Sequence, residues 1–205
     1  MAITLDQYKQ HMPGLEGAGE DVNLTTFLAQ AESLIAGGCG WARTDAGTLT
    51  LAAAAYTVQI DGPSALDPGK LYLPVAWVAS VSEVVVDSGW DFSSPAYTLV
   101  EGTDYILDQR AHSLRLKPGG KLSAWPEGAQ TRVTFSGGWA AYPDEVVAVI
   151  AWQARHMWHS RPNNTVGSFS ADGQSVTKRE AAAVPKQVKS MAATAGLVVW
   201  GHRAA

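Results

Sequence analysis

Apolar and polar positions alternate through the middle of the chain and recur at spacings of three and four near its ends. In residues 71–143, Leu71-Tyr72-Leu73-Pro74-Val75 is followed by the β-branched run 78–87, by Thr103 to Asp108, by Ser113-Leu114-Arg115-Leu116, and by Arg132 to Ser136. In the last of these Val133 and Phe135 face one way and Arg132 and Thr134 the other, the signature of a strand with one buried face. Leu49 and Leu51 alternate with Thr48 and Thr50, and Tyr56, Val58 and Ile60 with Thr57 and Gln59. Turns are marked by Asp61-Gly62-Pro63, Asp87-Ser88-Gly89, Glu101-Gly102 and Pro118-Gly119-Gly120. Short strands at this spacing predict an antiparallel sandwich or barrel-like module.

The ends read as helices. Thr4 caps a short helix over 4–12, broken by Gly14, Gly17 and Gly19. Asp21 opens a second, in which Val22, Leu24, Phe27, Leu28, Ala31, Leu34 and Ile35 form one apolar stripe before Gly37-Gly38 ends it. Pro143 suits the first position of a third helix through His159, with Asp144 and Glu145 favoured by the dipole of its first turn. Val146, Val147, Val149, Ile150, Trp152, Met157 and Trp158 cover nearly its whole circumference. Such a rod must be buried on several sides, and the expectation is that neighbouring subunits supply part of the cover. The polar stretch 163–180 reads as a long loop or flexible hairpin, and Pro185 opens a last helix through about Leu197, with Lys186 and Lys189 outward and Val188, Met191 and Ala192 or Ala195 as a thin apolar stripe.

Composition narrows the class. The chain has 205 residues, 46% apolar and 17% charged, a globular balance with a net charge of −4. No overall basic surface calls for nucleic acid. Residues 1–150 hold 8 Lys/Arg against 17 Asp/Glu, whereas 151–205 hold 7 against 2; the split fits either surfaces solvated by opposite charges or a C-terminal segment that docks on an acidic partner. Cys39 is the one cysteine, which excludes an internal disulfide and fits a reducing cytosol; no local cation activates it. The N-terminus lacks a basic and apolar leader, and Ala192–Trp200 is about half the roughly 20 residues a membrane span needs.

Catalytic constellations are weak. His156 and His159 could share a helix face and hold a metal, but no carboxylate lies within a turn, so packing and capping roles compete with a metal-dependent hydrolase site. Asp104 and Asp108 on one strand face would stand about 13 Å apart, too far for a glycosidase pair, and fit turn-closing roles instead. No nucleophile elbow and no phosphate-binding glycine loop is present. Eight tryptophans, with Trp77, Trp90, Trp125 and Trp139 near strand ends or turns, admit a carbohydrate-binding face, interface anchors or ordinary packing.

The phrases "ITLDQYKQHM", "FLAQAESLIAG", "LYLPVAWVASVSEVVVD", "YTLVEGTDYILD", "SLRLKPGG", "RVTFSGGWAAYPDEVVAVIAWQARHMW" and "VPKQVKSM", in this order, resemble the head–tail connectors (head-completion adaptors) of tailed bacteriophages and gene-transfer agents. Gly138-Trp139 followed by Pro143 and the long helix is the most telling piece. The resemblance implies a non-enzymatic ring, usually twelvefold, beneath the portal, with DNA passing through unread and the far face receiving a stopper or tail protein. It implies a virion location after assembly in the host cytoplasm, no cofactor, metal or membrane, and a C-terminal segment that grips the portal.

The expected fold is α+β: a helical core, made of the N-terminal pair (1–40) and the long central and C-terminal helices (141–205, with a flexible loop 161–183), carrying an inserted antiparallel β module (41–140). Lys186, Lys189, Met191, Val198 and Trp200 are the expected portal contacts, and Val146, Ile150, Trp152, Met157 and Trp158 the expected ring-packing residues. The alternative function is a tryptophan-rich carbohydrate-binding module.

Overall fold

The computed structural model describes residues 4–10, 21–61, 69–89, 91–109, 111–126, 129–160, 169–171, 174–176 and 184–198. Helix α1 (Leu5–Gln10) starts on a reciprocal cap. The Thr4 Oγ1 accepts the Gln7 N–H at 3.2 Å while Gln7 Oε1 accepts the Thr4 N–H at 3.0 Å, so two donors at the helix end are satisfied at once. Helix α2 (Asp21–Gly38) ends at the predicted glycine pair, and the left-handed cap itself falls two residues later, at Gly40. Gly40 takes φ 81°, its N–H reaches the Gly37 carbonyl at 3.2 Å, and the Trp41 N–H reaches Ala36 at 3.0 Å. This left-handed cap turns the chain sharply enough to bury Trp41.

Two open antiparallel sheets follow. The first has the order β1 (Ala54–Asp61), β7 (Gln130–Gly137), β3 (Val78–Asp87), β4 (Tyr97–Leu99). The second has the order β2 (Lys70–Tyr72), β6 (Ser113–Leu116), β5 (Tyr105–Asp108). Strand β7 is central because it can bury one face along its whole length: Thr131, Val133 and Phe135 are buried and Arg132, Thr134 and Ser136 are not. Tyr56 lies opposite Phe135 in the register, and their rings stack at 5.3 Å. The alternation at Thr48–Leu51 does not form a strand. Thr50 instead bonds the buried Glu32 carboxylate of α2 through Oγ1, and the Leu51 N–H donates to the same oxygen at 2.8 Å.

Helix α3 (Asp144–Ser160) leaves β7 through Gly138 and Trp139. A short hairpin, β8 (Phe169–Ala171) with β9 (Gln174–Val176), falls in the predicted loop. Helix α4 (Lys186–Thr194) ends earlier than predicted. Gly196 adopts φ 70°, and the N–H groups of Gly196 and Leu197 return to the carbonyls of Ala193 and Ala192 at 3.1 and 2.9 Å.

The expectation of a helical core carrying a sandwich or barrel is overturned. The architecture is mixed, with four helices and two antiparallel sheets plus the hairpin among the described residues. One continuous buried cluster joins the four helices and the two larger sheets, and much of it comes from strands and loops: Tyr56, Leu71, Leu73, Val84, Leu114, Val133 and Phe135 are as enclosed as Leu24 or Ile150. Neither sheet closes, because β2, β4, β5 and β6 have only three or four residues each, too short to wrap a barrel.

The premise that α3 needs a neighbouring subunit for cover also gives way. Helices α1, α2 and α4 of the same chain pack around it, and Phe27 meets Trp158 edge to face at 5.8 Å. Val146, Val147, Val149, Ile150, Ala151, Ala154, Met157 and Trp158 are thereby buried. An apolar circumference fixes how much surface must leave water, not which elements remove it.

Candidate assembly surfaces

Of the five residues expected to pack a ring, Val146, Ile150, Met157 and Trp158 are enclosed by their own chain, and Trp152 is 42% exposed. Its ring has the Arg155 guanidinium over it at 5.8 Å, and Arg155 is exposed as well. The outer stripe of α3 is therefore narrow: Ala148, Trp152 and Arg155, between the acidic first turn and His156. An exposed tryptophan under an arginine is a pair of side-chain types enriched at the energetic centres of interfaces.

The expected portal contacts divide similarly. Lys186 and Lys189 are exposed on α4, while Met191 and Val198 are half-buried against the core; Trp200 lies outside the described residues. Val188 and Ala192, one turn apart, anchor α4 inward. The Trp41 indole N–H donates to the Leu197 carbonyl at 2.9 Å in a buried setting, fixing the segment after α4. Helix α4 thus presents an outer face with two cations and no acid.

The tryptophans of the β module do not share a face. Trp77 is 48% exposed, Trp125 is 2% exposed, and Trp139 is half-buried with its ring 5.6 Å from that of Trp41; Trp90 lies outside the described residues. The sequence does not single out Trp77 among them; its left-handed backbone, φ 58°, and its exposure set it apart from the other described tryptophans of the module. Among the described residues, Tyr97, Val100 and Ile106 are the other exposed large apolar side chains of this module.

The carboxylates serve the backbone. Asp104 accepts the Val100 and Lys121 N–H groups at 2.9 Å each, and these bonds hold its carboxyl below the usual range. Asp108 accepts the Ala111 N–H at 3.0 Å and shapes the β5–β6 turn. Both are the turn-closing roles the sequence suggests. Burial pushes the Cys39 thiol up to about 11, so it is an unreactive core group. His156 is half-buried on α3; His159 belongs to the same helix. Among the described residues no three His, Cys, Asp or Glu side chains are grouped to hold a metal ion, and no helix is long and apolar enough to cross a membrane.

No family model matches the sequence, and no curated protein matches it. Solved structures do. The fold superposes on a chain from the virion of a native gene transfer agent particle with a TM-score of 0.56 at 17% identity, covering 100% of this chain and 93% of that one. It superposes on a chain from the neck of the empty particle, computed with C6 symmetry, with a TM-score of 0.55 at 18% identity, covering 98% and 92%. For the native neck computed with C12 symmetry the TM-score is 0.53 at 18% identity, again covering 98% and 92%. At these identities the likeness is one of fold, and it spans nearly the whole of both chains: this chain shares the fold of chains found in the virion and neck of gene transfer agent particles.

Proposed function

We propose that this chain is a structural neck component of a phage-like or gene-transfer-agent particle, assembling as a ring under the portal and offering its far face to a stopper or tail-completion protein. The observation that carries this reading is the near-full-length likeness to neck chains from particles treated with sixfold and twelvefold symmetry. Nothing in the role requires catalysis, and the carboxylates are engaged in turn geometry. Packaged DNA would pass without being gripped, since residues 1–150 carry 17 acids against 8 bases.

In a cyclic ring each copy uses two different surfaces, one for each neighbour. Trp152 with Arg155 supplies an anchor for one of them. The cationic face of α4, with Lys186 and Lys189, is the surface for the portal, and the half-buried Met191 and Val198 border it. The experiment is docking of the purified chain to the purified portal ring, followed by light scattering over a salt series. Lys186→Glu with Lys189→Glu should weaken docking most at low salt, because exposed charge pairs are screened over about 10 Å at 0.1 M. Docking that is unchanged by the double substitution removes α4 from the portal contact.

A further inference from the structure

Two bulky residues hold each other in left-handed backbone conformations. Trp77 has φ 58° and His112 has φ 50°, a region that large L side chains rarely enter. The Trp77 N–H donates to His112 Nδ1 at 3.1 Å across 35 residues of sequence. The His112 carbonyl accepts the Leu73 N–H at 2.7 Å, and the Trp77 carbonyl accepts the Gly138 N–H at 3.0 Å. The end of the β5–β6 hairpin therefore grips both ends of the bend 73–77, and that bend in turn touches the corner from which α3 departs. Positions 73–76 and 78 are buried, whereas Trp77 between them is 48% exposed.

We propose that His112 is a pH-sensitive latch on this bend: the neutral ring holds the Trp77 N–H and keeps the indole displayed, and protonation at Nδ1 releases it. The chemistry follows from the donor inventory. An imidazolium donates at both nitrogens and accepts at neither, so a charged ring would set an N–H against an N–H where a bond now stands. Strained backbone persists only while its surroundings enforce it, so losing that bond lets Trp77 leave the left-handed region.

Among the described residues the groups facing the ring are few. On its own hairpin the Asp108 carboxylate and the Gln109 main chain favour the charged form, and burial opposes them more strongly, holding the ring below its usual 6.5. The bend Leu73–Trp77, the start of β3 at Val78–Ser80 and the Gly137-Gly138 corner bring no titratable side chain. With the folded-state value depressed, the latch is whole above the ordinary histidine range and opens as pH falls through the lowered one.

The test is amide hydrogen exchange of the full chain by NMR, corrected for the intrinsic pH dependence of exchange. Trp77 amide protection should fall at least tenfold between neutral pH and about pH 5, while the Val133 and Phe135 amides of β7 keep theirs. His112→Asn should abolish the difference. Asparagine tolerates a positive φ, places an acceptor oxygen near the site of Nδ1, and does not titrate. The Trp77 amide shift of the unmodified protein should also titrate with the midpoint of the His112 ring, a readout independent of any variant. Constant Trp77 protection, an equal loss in His112→Asn, a loss shared with β7, or separate midpoints would each overturn the latch.

Discussion

The Trp41 indole N–H meets the Leu197 carbonyl at 2.9 Å, and each residue sits just past the left-handed glycine that ends a helix, Gly40 for α2 and Gly196 for α4. Two helix ends 156 residues apart in sequence are thus tied at one buried point. The tie holds α4 and the segment after it against the core as far as Leu197 and leaves the outer face of α4 available for a partner.

Trp41→Phe keeps most of the ring packing and strands the Leu197 carbonyl. A buried acceptor left without its donor costs about 1–3 kcal/mol. Denaturant unfolding should show that loss, and hydrogen exchange should show α4 opening ahead of the β1–β7–β3 ladder. A variant of unchanged stability, with α4 exchange unaltered, would mean that the bond does not hold the segment.

Gly138→Ala should be far more harmful than Gly40→Ala. Both glycines have positive φ, 87° and 81°, but a methyl at Gly138 would lie 2.3 Å from the Ala52 carbonyl oxygen, whereas nothing lies within 4 Å of one at Gly40. Left-handed strain alone costs roughly 1–2 kcal/mol, and the backbone clash adds to it, so Gly138→Ala should lose at least about 3 kcal/mol. Equal losses in thermal unfolding would refute the crossing of strand β7 with residues 51–52.

Gln153 is 0% exposed on α3, and neither its side-chain oxygen nor its nitrogen has a protein partner among the described residues. Replacing an unpaired buried amide with an apolar side chain of similar shape removes a desolvation cost. Gln153→Met should therefore stabilise the chain by about 1 kcal/mol in urea unfolding. A loss of similar size would show that this amide is bonded in solution.

Burial raises four of the six tyrosines. Tyr8, Tyr56 and Tyr105 are pushed up to about 12, with the Glu32 carboxylate adding to burial at Tyr56, and Tyr142 is raised as well. A phenol raised in the folded state contributes stability that is whole below the unfolded value of 10.0 and is lost as pH climbs through the folded one. Stability should fall between about pH 10 and 12, with phenolate absorbance rising in step with unfolding, and Tyr56→Phe should flatten the decline. Free ionisation of all six phenols in a still-folded chain would contradict this.

Much of the architecture was legible because it is local. The Thr4–Gln7 cap, the alternation at Val133 and Phe135, and the turn carboxylates Asp104 and Asp108 need only neighbours in sequence. What was misread depends on distant partners. The greasy surface of α3 is covered by α1, α2 and α4, which periodicity within α3 cannot reveal. Thr50 looked like a strand residue, yet its hydroxyl bonds Glu32, 18 positions earlier. Of the candidate surface, the lysines of α4 were readable from their spacing. The isolation of Trp152 on an otherwise buried helix, and the left-handed display of Trp77, exist only after folding.

The central claim is that this chain forms a ring at the junction of head and tail. Cryo-electron microscopy of purified particles carrying a tagged copy tests it most directly. The expected result is a rotationally symmetric collar of this chain next to the portal, with Trp152 at the contact between adjacent copies. Tag density confined to the shell or the distal tail, or particles that join heads to tails in the chain's absence, would contradict the account.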